Sequence, residues 1–336
     1  MQKPNNFTLG FSIAILSAIT LFFNLSKGEV QPWDEGLYAY RAKSIIDYNC
    51  WLDQTQYTLG GLYSSTYPPL VPWAIALNFK VWGINLFSIR VFSVICSIIL
   101  LTSLTFFFSR QYSQQLVFLL TTNLLISQHW ILYSRQGTTD VPLICFIVLS
   151  LILGIKFIES QRKSESMMFG SAFALTIFLA LMTKIVLSYL PIILFIPLVI
   201  LKEKKKLLSL GTYFLIGVLL ALPWYIQMYL KYGWDFLAAL FPPHLYSAVE
   251  GNVRPLGIFY YLNQLIVSNP IVIFGFFSLA RNFHRFNLKK LIADKGWVYS
   301  IFYIWALFGI LIFSLAPTKL PHYTLYMLLP LIILSL

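Results

Sequence analysis

The chemistry-bearing residues of this chain are few and grouped. Asp34 and Glu35 are adjacent, Arg135 and Asp140 follow close together, Lys184 stands between two apolar runs, and Lys319, His322 and Tyr323 form a late group. His244, Glu250 and Arg254 make a looser set before it. Carboxylates with a handful of cations suit displacement of a phosphate from an anomeric carbon. The transition state is oxocarbenium-like, one carboxylate takes the proton of the incoming hydroxyl, and a single base inverts the configuration. A phosphate leaving group needs positive charge to hold it, from Arg, Lys or a divalent metal. Each residue also has a plainer reading. Asp140, in Thr138-Thr139-Asp140-Val141-Pro142, is what a capped helix start looks like. Asp34 and Glu35 could be solvated loop carboxylates, Lys184 and Lys319 could snorkel from helix ends, and His244 and His322 lack metal-ligand spacing.

The elements that must position these groups are membrane helices. Of 336 residues, 58% are hydrophobic and only 11% charged, against roughly a quarter charged in a soluble domain. Apolar runs lie near 7–25, 86–108, 116–132, 141–158, 169–183, 185–201, 207–230, 265–279, 297–315 and 323–336, which predicts about ten spans of ~20 residues. The 169–201 stretch reads as two short spans divided at Lys184, or as one span with a re-entrant piece. Cys96 and Cys145 fall inside runs and Cys50 outside, which argues against a disulfide framework.

The net charge of +12 follows topology rather than a nucleic-acid face. Arg110, then Lys156, Arg162 and Lys163, then Lys202 and Lys204 to Lys206, then Arg281, Arg285, Lys289, Lys290 and Lys295 fill alternate short loops. Such loops are cytoplasmic. The N-terminus is then inside, and the 26–85 and 231–264 loops, with the acidic groups, are outside. In the first of these, Tyr38–Asp47 and Pro72–Trp82 read as short interfacial helices among many Trp and Tyr rings. Costly charges collected on one side of a bilayer mark a functional site.

At these residues the chain resembles the GT-C membrane glycosyltransferases, in particular the protein O-mannosyltransferase and lipid A aminoarabinose transferase family (glycosyltransferase family 39). Trp33-Asp34-Glu35-Gly36 with Tyr38 and Arg41 is similar to the family's first acidic motif, and Tyr67-Pro68-Pro69-Leu70 through Trp73 to its Pro-Pro-Leu element. Gly83, Asn85 and Arg90 resemble the entry to its second span, and Ser134-Arg135, Gly137, Asp140 and Pro142 its second acidic motif. Thr183-Lys184, Leu222-Pro223-Trp224-Tyr225 and Thr318-Lys319-Leu320-Pro321-His322-Tyr323 continue in the family's order.

The resemblance implies an all-α, polytopic GT-C bundle forming one domain over residues 1–336. It also implies an inverting transferase using a polyprenyl-phosphate sugar donor and an extracytoplasmic acceptor: a glycolipid, a polysaccharide or a protein. Localisation would be the cytoplasmic membrane, with the active site outside. By the same resemblance Asp34 is the base, Glu35 assists by positioning or metal contact, Asp140 completes the acidic centre and Arg135 supports it. Lys319 and His322, with Tyr323, would lie near the carrier phosphate, Arg254 being a further candidate and Lys184 the Thr-Lys step. If a divalent metal takes part, Asp34, Glu35 and Asp140 are its ligands. Many relatives carry Lys before the Pro-Pro pair, where it reaches the lipid phosphate; this chain has Tyr67, so its phosphate contacts differ. Relatives are usually longer, and the chain stops inside an apolar run, which reads as a truncation. A transporter or flippase of a lipid-linked substrate is the alternative; it would favour mid-bilayer charges and repeated halves, and no repeat is visible.

Overall fold

The computed structural model describes residues 6–58, 60–62, 67–202, 204–240, 257, 259–283, 291–292, 296–315 and 319–335. Every regular element among them is helical. In chain order they are α1 (Asn6–Phe22), α2 (Asp34–Tyr48), α3 (Leu70–Trp82), α4 (Leu86–Phe108), α5 (Gln114–Ile126), α6 (Gln128–Ser134), α7 (Asp140–Glu159) and α8 (Lys163–Leu181). After these come α9 (Leu190–Lys202), α10 (Lys204–Tyr232), α11 (Trp234–Leu240), α12 (Tyr260–Ser268), α13 (Val272–Phe283), α14 (Trp297–Leu315) and α15 (Leu325–Leu334).

Among the described residues five helices, α4, α7, α8, α10 and α14, are long and apolar enough to cross a membrane, and a sixth span counts if the bent pair α5–α6 is one. The ten expected runs are thus only partly realised as single crossing helices. Residues 185–201 and 323–336 start with 3-10 turns (Val186–Tyr189 and Pro321–Thr324), α1 is short, and the 265–279 run splits between α12 and α13. Pro270 falls at that split, where it cannot continue a helix. The chain is a multi-pass membrane protein.

α7 is the central post: 83% of its apolar window is buried, against 22% for α10. It packs on α8 and α4, while α10 covers α8 and α15 packs on α14 and α13. The two surface helices expected in the first loop form as α2 and α3 and pack on each other. Gly83, with φ near +77°, ends α3, a backbone that glycine adopts without steric cost. Asn85 then caps α4, its side chain accepting from Ser88 N at 3.0 Å.

Candidate active site

Asp140 is the first residue of α7, yet its carboxylate does not cap the helix. Tyr326 of α15 donates to Asp140 Oδ1 at 3.0 Å, and the Lys184 ammonium donates to the same oxygen at 3.4 Å. Both groups of this ion pair are largely buried. Lys184 sits in the turn after α8, where Thr183 fastens its hydroxyl to Leu179 O at 2.7 Å. The Lys184 ammonium lies 5.9 Å from the Tyr67 ring centre and 5.6 Å from that of Tyr323. Burial alone would lower this ammonium, but Asp140 and the surrounding phenols reverse the effect and hold it well above the usual lysine range. Burial pushes the Tyr67 phenol up to about 12 even though Lys184 opposes it.

His322 packs edge-on to Tyr133 at 6.1 Å and to Tyr323 at 4.7 Å. It lies within electrostatic reach of Asp140, Lys184 and Asp34. Asp34 acts electrostatically on Tyr67, Tyr133 and Tyr323, as Asp140 does. The carboxylates of Asp34 and Asp140 therefore lie within electrostatic reach of the same three tyrosines, a tyrosine-lined chamber at the end of the bundle where α7 begins. Asp34 is exposed. Trp33 before it has φ 70°, a strained backbone for a non-glycine residue, and this turn leaves Asp34 open while Glu35 points inward.

Glu35 and Arg90 form the anchor beneath. Glu35 is 1% exposed, and Arg90 grips it with Nε to Oε1 at 2.9 Å and Nη2 to Oε2 at 3.1 Å. Gln31 N and Gly137 N donate to the same carboxylate at 2.7 and 2.9 Å. Arg90 also donates to the carbonyls of Leu25, Lys27 and Glu29. Both Glu35 oxygens thus accept hydrogen bonds from protein groups, four in all. Asp140 shares its Oδ1 with an ammonium, so a divalent cation there would meet like charge. Among the described residues no group of three His, Cys, Asp or Glu could hold a metal; the carboxylates present do not fit one.

Two other expected contributors are placed elsewhere. Arg135 turns away from Asp140 and donates to Phe23 O at 2.7 Å. Buried Lys319 donates to the carbonyls of Phe313 and Ser314 at the end of α14, where a cation complements the helix dipole. Arg254 lies outside the described residues, as do His244 and Glu250. Sequence reasoning placed Arg41 and Arg90 in the matching motifs without a chemical role, and did not single out Tyr326. Arg41 is buried and holds the chamber wall by donating to Gln54 Oε1 at 2.9 Å and Tyr67 O at 3.0 Å; burial lowers its guanidinium to about 10. A lone arginine near a helix start and a lone tyrosine in an aliphatic run were the available signals.

This helical bundle, with a long first loop folded as surface helices over one end, is the GT-C fold. ArnT from Cupriavidus metallidurans bound to undecaprenyl phosphate superposes with a TM-score of 0.76 at 16% identity, covering 97% of this chain and 59% of that one. The archaeal oligosaccharyltransferase AglB from Archaeoglobus fulgidus, in complex with an inhibitory peptide and a dolichol-phosphate, gives 0.66 at 10% identity, with 98% and 49% covered. In sequence, residues 66–227 match the dolichyl-phosphate-mannose-protein mannosyltransferase family. An uncharacterized protein of Aquifex aeolicus is 26% identical over 319 residues, covering 93% of this chain. The chain spans about 60% of the length of that relative.

Proposed function

We propose that the protein is an inverting glycosyltransferase that moves a sugar from a polyprenyl-phosphate carrier to an acceptor on the non-cytoplasmic side. The observation that supports this best is the chamber itself, where Asp34 stands open and Lys184 is held against Asp140 beside Tyr67, Tyr323 and His322. The family match and the two lipid-phosphate complexes of the shared fold point the same way.

In this reading Asp34 removes the proton of the acceptor hydroxyl as its oxygen bonds to the anomeric carbon. The bond from that carbon to the carrier phosphate breaks, and its electron pair leaves with the phosphate. Lys184 and His322 receive that charge. Asp140 and Tyr326 position Lys184, and Glu35 with Arg90 positions Asp34. Relatives with lysine before the Pro-Pro pair take a cation from there; here Lys184, lying over the Tyr67 ring, supplies it from the turn after α8.

Asp34→Asn keeps the shape of the side chain and removes the base. Transfer from a panel of labelled carrier-linked sugars should fall by a factor of about 100 to 10,000, with insertion and thermal unfolding unchanged. Transfer by the variant at near wild-type rate ends the proposal.

A further inference from the structure

A cavity of about 400 Å3 opens at the end of the bundle opposite the chamber, where the ends of α4 and α7 face the start of α14. That volume falls within the ~300–1,000 Å3 of small-molecule sites. Lys156 and Glu159 enter it from the last turn of α7. At ~1.5 Å per residue, Lys156 stands about 24 Å from Asp140 along that helix. Arg110 and Gln111 come from the turn between α4 and α5, and Trp297 and Tyr299 from the first turn of α14. Lys156 is half-buried, with its ammonium 5.6 Å from the Phe169 ring centre. Arg110 is exposed and lies within electrostatic reach of Lys156. Among the described residues neither cation has a carboxylate within ion-pair distance, although Glu159 lines the same cavity.

We propose that this cavity holds the phosphate of an anionic phospholipid from the leaflet opposite the chamber, with a hydroxyl-bearing headgroup such as phosphoglycerol. Two like charges facing one another repel, and an anion between them replaces that cost with attraction. Phosphate suits the pair, because both side chains form charge-assisted bonds to its oxygens and arginine does so bidentately. The charge balance sets the class of headgroup. Two cations less the Glu159 carboxylate leave one positive charge, which a phosphodiester neutralises and a zwitterionic headgroup does not. Glu159 can accept from hydroxyls, and the Gln111 carboxamide both donates and accepts, as a polyol headgroup requires. Position selects a lipid over a solute. The site lies at the ends of helices long and apolar enough to cross a membrane. Tyr112, Trp297 and Tyr299 line it with rings that favour the headgroup layer, and basic pockets between membrane helices take lipid phosphates in this way. The occupant ties α7, which carries Asp140 at its other end, to α14 and to the turn after α4.

The test uses the whole chain in nonionic detergent, with phosphatidylglycerol, phosphatidylethanolamine, inorganic phosphate and undecaprenyl phosphate as separate probes. Binding is read by native mass spectrometry and by thermal unfolding. Phosphatidylglycerol should bind saturably and raise the unfolding midpoint, and phosphatidylethanolamine and inorganic phosphate should each bind about tenfold more weakly or worse. Arg110→Gln and Lys156→Met should each weaken phosphatidylglycerol about tenfold or more. Arg110 is exposed, so its variant guards against a folding defect from the half-buried lysine. Lys163→Gln should leave the affinity unchanged, because Lys163 is exposed near the same turn but does not line the cavity. The proposal is overturned if phosphatidylglycerol shows no saturable site, or if both cavity variants keep wild-type affinity. Equal weakening by Lys163→Gln would mean diffuse surface charge and overturns it as well. Inorganic phosphate binding as tightly would make this a free-anion site, and phosphatidylethanolamine binding as tightly would remove the charge argument. Displacement of phosphatidylglycerol by undecaprenyl phosphate would assign the cavity to the carrier; each of these three results also overturns it.

Discussion

Lys184 carries two roles that a single substitution separates poorly: it pairs with buried Asp140, and it is the cation nearest the Tyr67 and Tyr323 rings. A charge-assisted hydrogen bond to phosphate contributes roughly 1.5–3 kcal/mol, and about 1.4 kcal/mol is tenfold in affinity. Lys184→Met should therefore weaken undecaprenyl phosphate binding by about tenfold or more. The Tyr67 ring adjoins the same spot, so adding Tyr67→Lys to that variant should return much of the lost affinity from the other wall. Equal dissociation constants for wild type and Lys184→Met, with normal thermal unfolding, would remove Lys184 from the carrier site. Sequence alone placed Asp34, Asp140 and Lys184 as candidates because each is a costly charge near an apolar run. It could not show that Glu35 is closed off by Arg90, because the two lie 55 residues apart and no periodicity links them. Nor could it show which way Arg135 and Lys319 turn. Long cationic side chains are aimed by nearby carbonyls, and those are set by packing.

At the scale of elements, the site depends on how closely the linker before α7 approaches α4. A Cβ built on Gly137 would lie 2.4 Å from Ile89 Cγ2 and 2.7 Å from Ile89 O. The second atom is backbone and cannot swing aside. The Gly137 N–H also holds Glu35. Gly137→Ala should thus cost about 1–3 kcal/mol through overpacking and move the α2 start that presents Asp34. Thermal unfolding in detergent should show an earlier transition, and transfer should fall further than the loss of folded protein explains. An unchanged transition would mean that the linker tolerates the methyl group. Helix positions were largely legible because apolar runs and caps are local signals: α2, α3 and the long spans form near their expected bounds. The break at Ser127 was not, since no proline or glycine marks it and Asn269, which donates to Ser127 Oγ, comes from the far side of α12. The 265–279 run failed for a related reason, as mean hydropathy does not register a single proline.

At the scale of the whole molecule, one thiol reports which side of the membrane the chamber faces. Cys50 lies just after α2, while Cys96 and Cys145 are buried inside α4 and α7. From the distribution of Lys and Arg we propose that Cys50 lies on the non-cytoplasmic side, together with Asp34 and Lys184. A membrane-impermeant maleimide added to intact cells should therefore label Cys50 and leave the other two untouched. The thiolate is the reacting form, and burial raises the Cys50 thiol above the ordinary cysteine range. Less thiolate is present at any pH below that value, so labelling should be slower than for a free cysteine near neutrality. Its rate should keep climbing above about pH 8.5, where a free thiol begins to level off. Labelling of Cys50 only in inside-out vesicles would turn the molecule over. It would place the chamber, and any carrier headgroup in it, on the cytoplasmic leaflet, and the proposed transfer would then be to acceptors inside the cell.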